Sequence, residues 1–137
     1  MTHPEGNLTA VQYEIMKAVW DAGRTGATVA EIWQVIATTR SVGRTTILNL
    51  VDRLERRGWL DRMTDSAPTR YLATMTRPAT AAFLAGQFVN DFFEGSASSL
   101  MLSLLGTKRL RPDEIEQLRQ LIDAAPQRKV EQKGKPS

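Results

Sequence analysis

The 137-residue chain contains no cysteine, which excludes disulfide frameworks, thiolate metal sites and cysteine nucleophiles. Histidine is almost as scarce. His3 is the only one, and its place beside the N-terminus reads as a frayed terminal residue rather than a ligand or a base. Nowhere do ~18 apolar residues follow one another, and the opening MTHPEGNL lacks the charged-then-apolar pattern of a signal peptide. The expectation is a soluble, cytoplasmic protein. No glycine-rich phosphate loop occurs, and the nearest paired carboxylates, Asp113, Glu114 and Glu116, fall where the first turn of a helix favours acids anyway. With no nucleophile–base constellation left, an enzyme is not expected, and no cofactor or metal is implied.

What is present is arginine, unevenly spread. The whole chain carries a formal charge of +3 with a pI near 9.6, which permits a polyanionic partner without demanding one. Residues 40–62 alone hold six arginines (Arg40, Arg44, Arg53, Arg56, Arg57, Arg62) against Asp52, Glu55 and Asp61, a local balance of +3. Within that region, residues 43–60 read GRTTILNLVDRLERRGWL. At about 100° per residue, Ile47, Leu50, Val51 and Leu54 share one helical face and Thr45, Asn49, Asp52 and Arg56 the other. Arg44, Thr45, Thr46 and Asn49 lead the polar face, and such side chains hydrogen-bond phosphates and base edges when a helix enters a major groove N-terminus first. Arg53 follows as a candidate phosphate contact. The same pattern also describes an ordinary amphipathic surface helix.

The surrounding elements favour the DNA reading. Thr9 with Gln12 makes a capping box opening a helix over about 10–22, whose stripe is Val11, Ile15, Met16 and Val19 up to Trp20. Residues 1–7 read as a loose arm before it. After the break at 23–26, residues 27–29 offer a very short strand, and Thr28 with Glu31 caps a second helix running through Ile32, Val35 and Ile36. A turn at 38–42, with Gly43 as cap, leads into the arginine-rich helix, which Gly58 closes. Two periodic stretches, 59–63 and 69–73, flank the turn-rich 64–68 and read as a β-hairpin. Helix-turn-helix plus hairpin is a winged helix, with Arg62 and Arg70 on the wing's flanks as candidate contacts to phosphates or an adjacent minor groove.

The remainder is helical and apolar. Thr76 and Pro78 open a helix to about Glu94, and all four phenylalanines fall within it. A nearly all-apolar segment over 98–105 ends at Gly106. Leu110 and Ile115 then staple a last helix in which Leu118, Leu121 and Ile122 face inward. So much apolar surface, with no sheet of its own to cover it, points to packing against a second copy through Phe88, Phe92, Leu100, Leu102, Leu118 and Leu121. Folding back on the winged helix as extra core is the other arrangement. The expected organisation is mainly α with a small β-hairpin: a winged-helix DNA-binding domain over 1–75, dimerisation helices over 76–125, and a disordered basic tail over 126–137.

Taken together, Leu8-Thr9 through Ile15-Met16 to Trp20, Thr28-Val29-Ala30-Glu31-Ile32, Thr46-Ile47 with Asn49, Arg53-Leu54 and Arg57-Gly58, Tyr71, Phe92-Phe93-Glu94-Gly95-Ser96, and Arg111-Pro112-Asp113-Glu114-Ile115 resemble the penicillinase-repressor (BlaI/MecI) family of bacterial winged-helix regulators. The resemblance spans roughly residues 8–123. It implies a homodimeric repressor on a palindromic operator of double-stranded DNA, commonly ahead of β-lactam-resistance genes. It also implies relief when a membrane-bound sensor protease triggers a cut in the dimerisation helices. The candidate bond, Ser103-Leu104, differs from the family's Asn-Phe type, and Ser66-Ala67-Pro68 replaces the usual Gly-Arg of the wing. The copper-responsive branch works through C-terminal cysteine pairs, and a chain without cysteine cannot. A winged helix serving as a protein-interaction module, or a regulator with a non-proteolytic signal, is the alternative, since the fold does not fix function.

Overall fold

The computed structural model describes residues 4–126. His3, and the basic tail from residue 127 on, lie outside the described residues. The first helix, α1 (Ala10–Ala22), begins where the sequence places it. Thr9 Oγ1 accepts from the Gln12 amide at 3.2 Å while Gln12 Oε1 accepts from the Thr9 amide at 3.0 Å, satisfying two otherwise orphaned donors. The helix buries Ile15, Met16 and Val19. A 3-10 turn over Gly23–Thr25 and Gly26 then pass the chain into β1 (Ala27–Thr28). Only glycine fits at 26. Its φ is +72°, and a Cβ there would stand 2.7 Å from the Tyr71 carbonyl oxygen and 2.9 Å from Met63 Sδ.

The Thr28–Glu31 capping box opens α2 (Val29–Ile36), with both bonds at 3.1 Å. A turn follows, fixed by the Trp33 indole donating to the Val42 carbonyl at 2.9 Å. The third helix, α3 (Arg44–Arg56), starts on Gly43, which caps it without a side-chain bond. Its inner face is Ile47, Val51 and Leu54, all fully buried. Leu50, expected with them, is only partly buried.

Gly58, at φ +87°, turns the chain into β2 (Leu60–Arg62), which pairs antiparallel with β3 (Arg70–Ala73) in the register Leu60↔Ala73, Asp61↔Leu72, Arg62↔Tyr71. β3 is the central strand, because β1 pairs with its other edge through Ala27↔Tyr71 and Thr28↔Arg70. The expected hairpin is therefore part of a three-stranded sheet. The core lies between this sheet and the three helices, with Trp59, Leu60 and Tyr71 from the sheet side meeting Ile15, Ile32, Ile36 and Ile47.

Two features differ from the sequence reading. Residues 4–7 are not loose. Pro4 is buried, the Glu5 amide donates to the Arg57 carbonyl at 3.0 Å, and the Glu5 carbonyl accepts from Arg57 Nε at 2.9 Å and from the Trp59 indole at 3.1 Å. Arg57 also donates to the Asn7 carbonyl. Secondly, α4 (Arg77–Phe92) stops two residues short of Glu94, and the first compact unit of the chain extends through it, over Met1–Phe92. The Trp20 indole donates to the Met75 carbonyl at 2.9 Å, Arg77 lies 5.3 Å above the Trp20 ring and 2.8 Å from Asp21, and the Phe83 ring sits edge-on to Trp59 at 5.8 Å. The first half of α4 thus belongs to the winged-helix core.

The second unit, Phe93–Ser137, contains α5 (Ala97–Gly106) and α6 (Pro112–Ala124). Ser96 caps α5 by accepting from the Ser99 amide at 3.1 Å, and Glu114 reaches back to the Arg111 amide at 3.0 Å to start α6. None of its described residues is buried. Met101, Leu105, Leu110, Ile115, Leu118 and Ile122 line an open apolar groove of about 240 Å³. Leu121 and Ile122, expected to face inward, are 59% and 69% exposed. Two helices form one layer, and a single layer has no second one to cover such side chains.

Candidate nucleic-acid interface

Because α3 spends Ile47, Val51 and Leu54 on the core, its opposite face must meet solvent or a partner. Arg44, Thr45, Thr46, Asn49 and Arg53 are all exposed there. The first four come from the first turn and a half, where unpaired backbone amides add positive potential. The turn before them is held firmly, by Trp33 on Val42 and by Arg40, whose guanidinium grips the Glu14 carboxylate of α1 at 2.8 and 3.0 Å. That pair anchors the approach to α3 against α1, and the hydrogen bond from Arg40 holds the Glu14 carboxyl below its ordinary value.

The arginines divide by whether they are already engaged. The side chains of Arg44 and Arg53 have no hydrogen bond or ion pair among the described residues, so their guanidiniums are available to phosphate. Arg56 pairs with Asp52 at 3.0 Å along the helix, and Arg57 is committed to the N-terminal arm. On the wing, Arg62 donates to Glu55 at 3.2 Å and lies 5.8 Å over the Tyr71 ring; the Glu55 hydrogen bond pushes its pKa further up, so it stays charged. Arg70 is held by two partners, Glu31 at 3.3 Å and the Gly26 carbonyl at 3.2 Å, with a third of its side chain exposed. The wing turn carries a cis Ala67–Pro68 peptide. Both wing arginines would have to exchange a carboxylate for a phosphate on binding DNA.

Sequence reasoning passed over Leu48. It is 48% exposed on the same face, one turn after Arg44. Its signal was available, as an apolar residue out of phase with the core stripe.

The residues singled out for assembly are mostly uncovered. The Phe88 and Phe92 rings on α4 meet at a tilt of 49° with centroids 5.1 Å apart and are 46% and 67% exposed. In the second unit Leu102 is 68% exposed, Leu121 projects to solvent, and Leu100 and Leu118 are half-buried. Ser103 is exposed and Leu104 half-buried, both inside α5. A cut there requires the helix to unwind locally, since a scissile bond must be accessible in extended form. Among the described residues no group of three or more acids or histidines is placed to hold a metal, and no helix is long and apolar enough to cross a membrane.

The family model described as penicillinase repressor matches residues 8–124. The methicillin resistance regulatory protein MecI of Mammaliicoccus sciuri is 26% identical over 116 residues, covering 85% of this chain and 93% of that protein. The penicillinase repressor of Bacillus licheniformis is 23% identical over 124 residues, covering 90% and 95%. Among solved structures, wild-type MarR from E. coli in its apo form aligns at 22% identity with a TM-score of 0.47, covering 85% of this chain and 76% of that one.

Proposed function

The chain belongs to the penicillinase repressor family of DNA-binding transcriptional repressors, and from that premise we propose that it acts in the cytoplasm as a homodimer on an inverted-repeat operator, one α3 in each half-site. The observation that carries this is the outer face of α3, where Arg44 and Arg53 have no partner among the described residues and flank Thr45, Thr46 and Asn49. Arg53 and Arg44 neutralise phosphates, while Asn49 is of the type that pairs bidentately with adenine. The uncovered apolar side chains of α4, α5 and α6 support the dimer, because exposed patches of this kind mark interfaces. The names of the relatives point to β-lactam-resistance genes as the kind controlled. Relief of repression by a sensor-triggered cut near Ser103-Leu104 fits a design in which dimerisation sets operator affinity.

The test is selection of duplexes from a random pool, followed by footprinting and titration at several salt concentrations. An inverted repeat should emerge, with half-site centres about one helical turn, ~34–36 Å, or a multiple of it apart. Log affinity should fall linearly with log salt, with a slope set by the phosphates neutralised. A protein that enriches no sequence, or binds duplexes independently of salt, refutes the proposal and leaves the winged helix as a protein-interaction module.

A further inference from the structure

We propose that Leu48 reads the C5-methyl group of a thymine in the operator. The inference rests on the operator reading above and deepens it to one base. Leu48 is the only apolar residue of α3 that is exposed; Arg44, Thr45, Thr46, Asn49, Arg53 and Arg56, the other exposed positions, are all polar. The core side of the helix is already supplied by Ile47, Val51 and Leu54, with Leu50 partly buried beside them. At helical spacing Leu48 stands directly above Arg44 and beside Thr45 and Asn49, within the second turn. A helix entering a major groove N-terminus first brings that turn to the base edges.

Of the groups that bases present in the major groove, the thymine methyl is the apolar one; the rest are hydrogen-bond donors and acceptors. A leucine on this face leaves a donor or acceptor unmatched at any other base, and gains burial only against the methyl. Its neighbour Asn49 suits adenine. The pair Leu48-Asn49 therefore selects adjacent A·T base pairs, with thymine recognised by burial and adenine by hydrogen bonds.

The experiment uses the full-length protein and the duplex it selects, with each thymine replaced in turn by deoxyuridine, which removes the methyl and nothing else. At one thymine per half-site the replacement should weaken wild-type binding about fourfold, the burial of one methyl-sized group. Leu48→Ala should bind the thymine duplex more weakly and show no further loss with deoxyuridine at that position. Alanine is a strong helix former on an exposed surface, and matching thermal unfolding curves verify that the variant is folded. Wild-type protein that tolerates deoxyuridine at every thymine, or a Leu48→Ala variant as sensitive as wild type, overturns the inference while the operator reading stands. Failure of the wild-type protein to select any duplex overturns both.

Discussion

Arg53 and Arg70 carry the same charge and differ in what already holds it. Arg53 is exposed and unpartnered among the described residues, so Arg53→Ala should weaken all duplexes alike and reduce the salt slope by about one counterion. Arg70, held by Glu31 and the Gly26 carbonyl, should leave the slope unchanged when replaced by alanine. Asn49→Ala should instead cost ~1–3 kcal/mol at the preferred site and little elsewhere, flattening base preference. Titrations of the three variants against selected and scrambled duplexes at several salt concentrations separate these outcomes. Glu14 gives a pH signature. Because Arg40 lowers its carboxyl pKa in the folded chain, the pair stabilises the fold above the ordinary carboxylate range, and that contribution disappears as pH falls through the lowered value. Urea unfolding of wild type and Glu14→Gln should therefore differ at neutral pH and converge in acid; a gap that widens in acid contradicts the assignment.

Among the elements, the tightest constraint is at Gly26, where the chain enters β1 beside β3. Gly26→Ala adds both a disfavoured backbone conformation and a Cβ 2.7 Å from a backbone oxygen, and should cost well over ~1 kcal/mol. Gly23 has the same φ of +72° with open space around it. Gly23→Ala should cost clearly less, and the difference between their melting temperatures measures the steric part. The helices could be read from sequence because their signals are local: both capping boxes sit within four residues, and the stripe of α3 repeats every turn. The pairing of β1 with β3 could not, since two residues carry no period and the partner strand lies more than forty positions on. The anchoring of residues 4–7 was hidden for the same reason. Trp59 and Arg57 hold Glu5 from over fifty residues away, and nothing in the stretch around Glu5 announces it.

At the scale of the whole molecule, the exposure of the residues around Asn49 was legible because they fall on the polar side of the helical pattern, whereas the engagement of Arg62 and Arg70 depends on side-chain partners that only the fold brings close. The separation of reading from assembly also moves. A fragment ending near Pro78 would strip Phe83 from Trp59, so the fragment to test is 1–92. It should stay folded, keep its preference for a half-site, and bind the full operator about two to four orders of magnitude more weakly through loss of bivalency. Full operator affinity in that fragment would remove the case for control by cleavage. Phe92→Ala in the intact chain should barely alter the monomer's unfolding yet weaken association by ~3–5 kcal/mol if a second copy covers the ring, which sedimentation across concentration will show.

The three tryptophans donate to three backbone carbonyls, Trp20 to Met75, Trp33 to Val42 and Trp59 to Glu5. Each bond closes a different seam: α1 to the link between β3 and α4, the turn into α3, and the N-terminal arm to the start of β2. The winged helix thus carries one built-in lamp per seam. With phenylalanine at two of the three positions, the colour of the remaining emission reports when water enters that joint alone, so the order in which the reading head comes apart can be followed without any added dye.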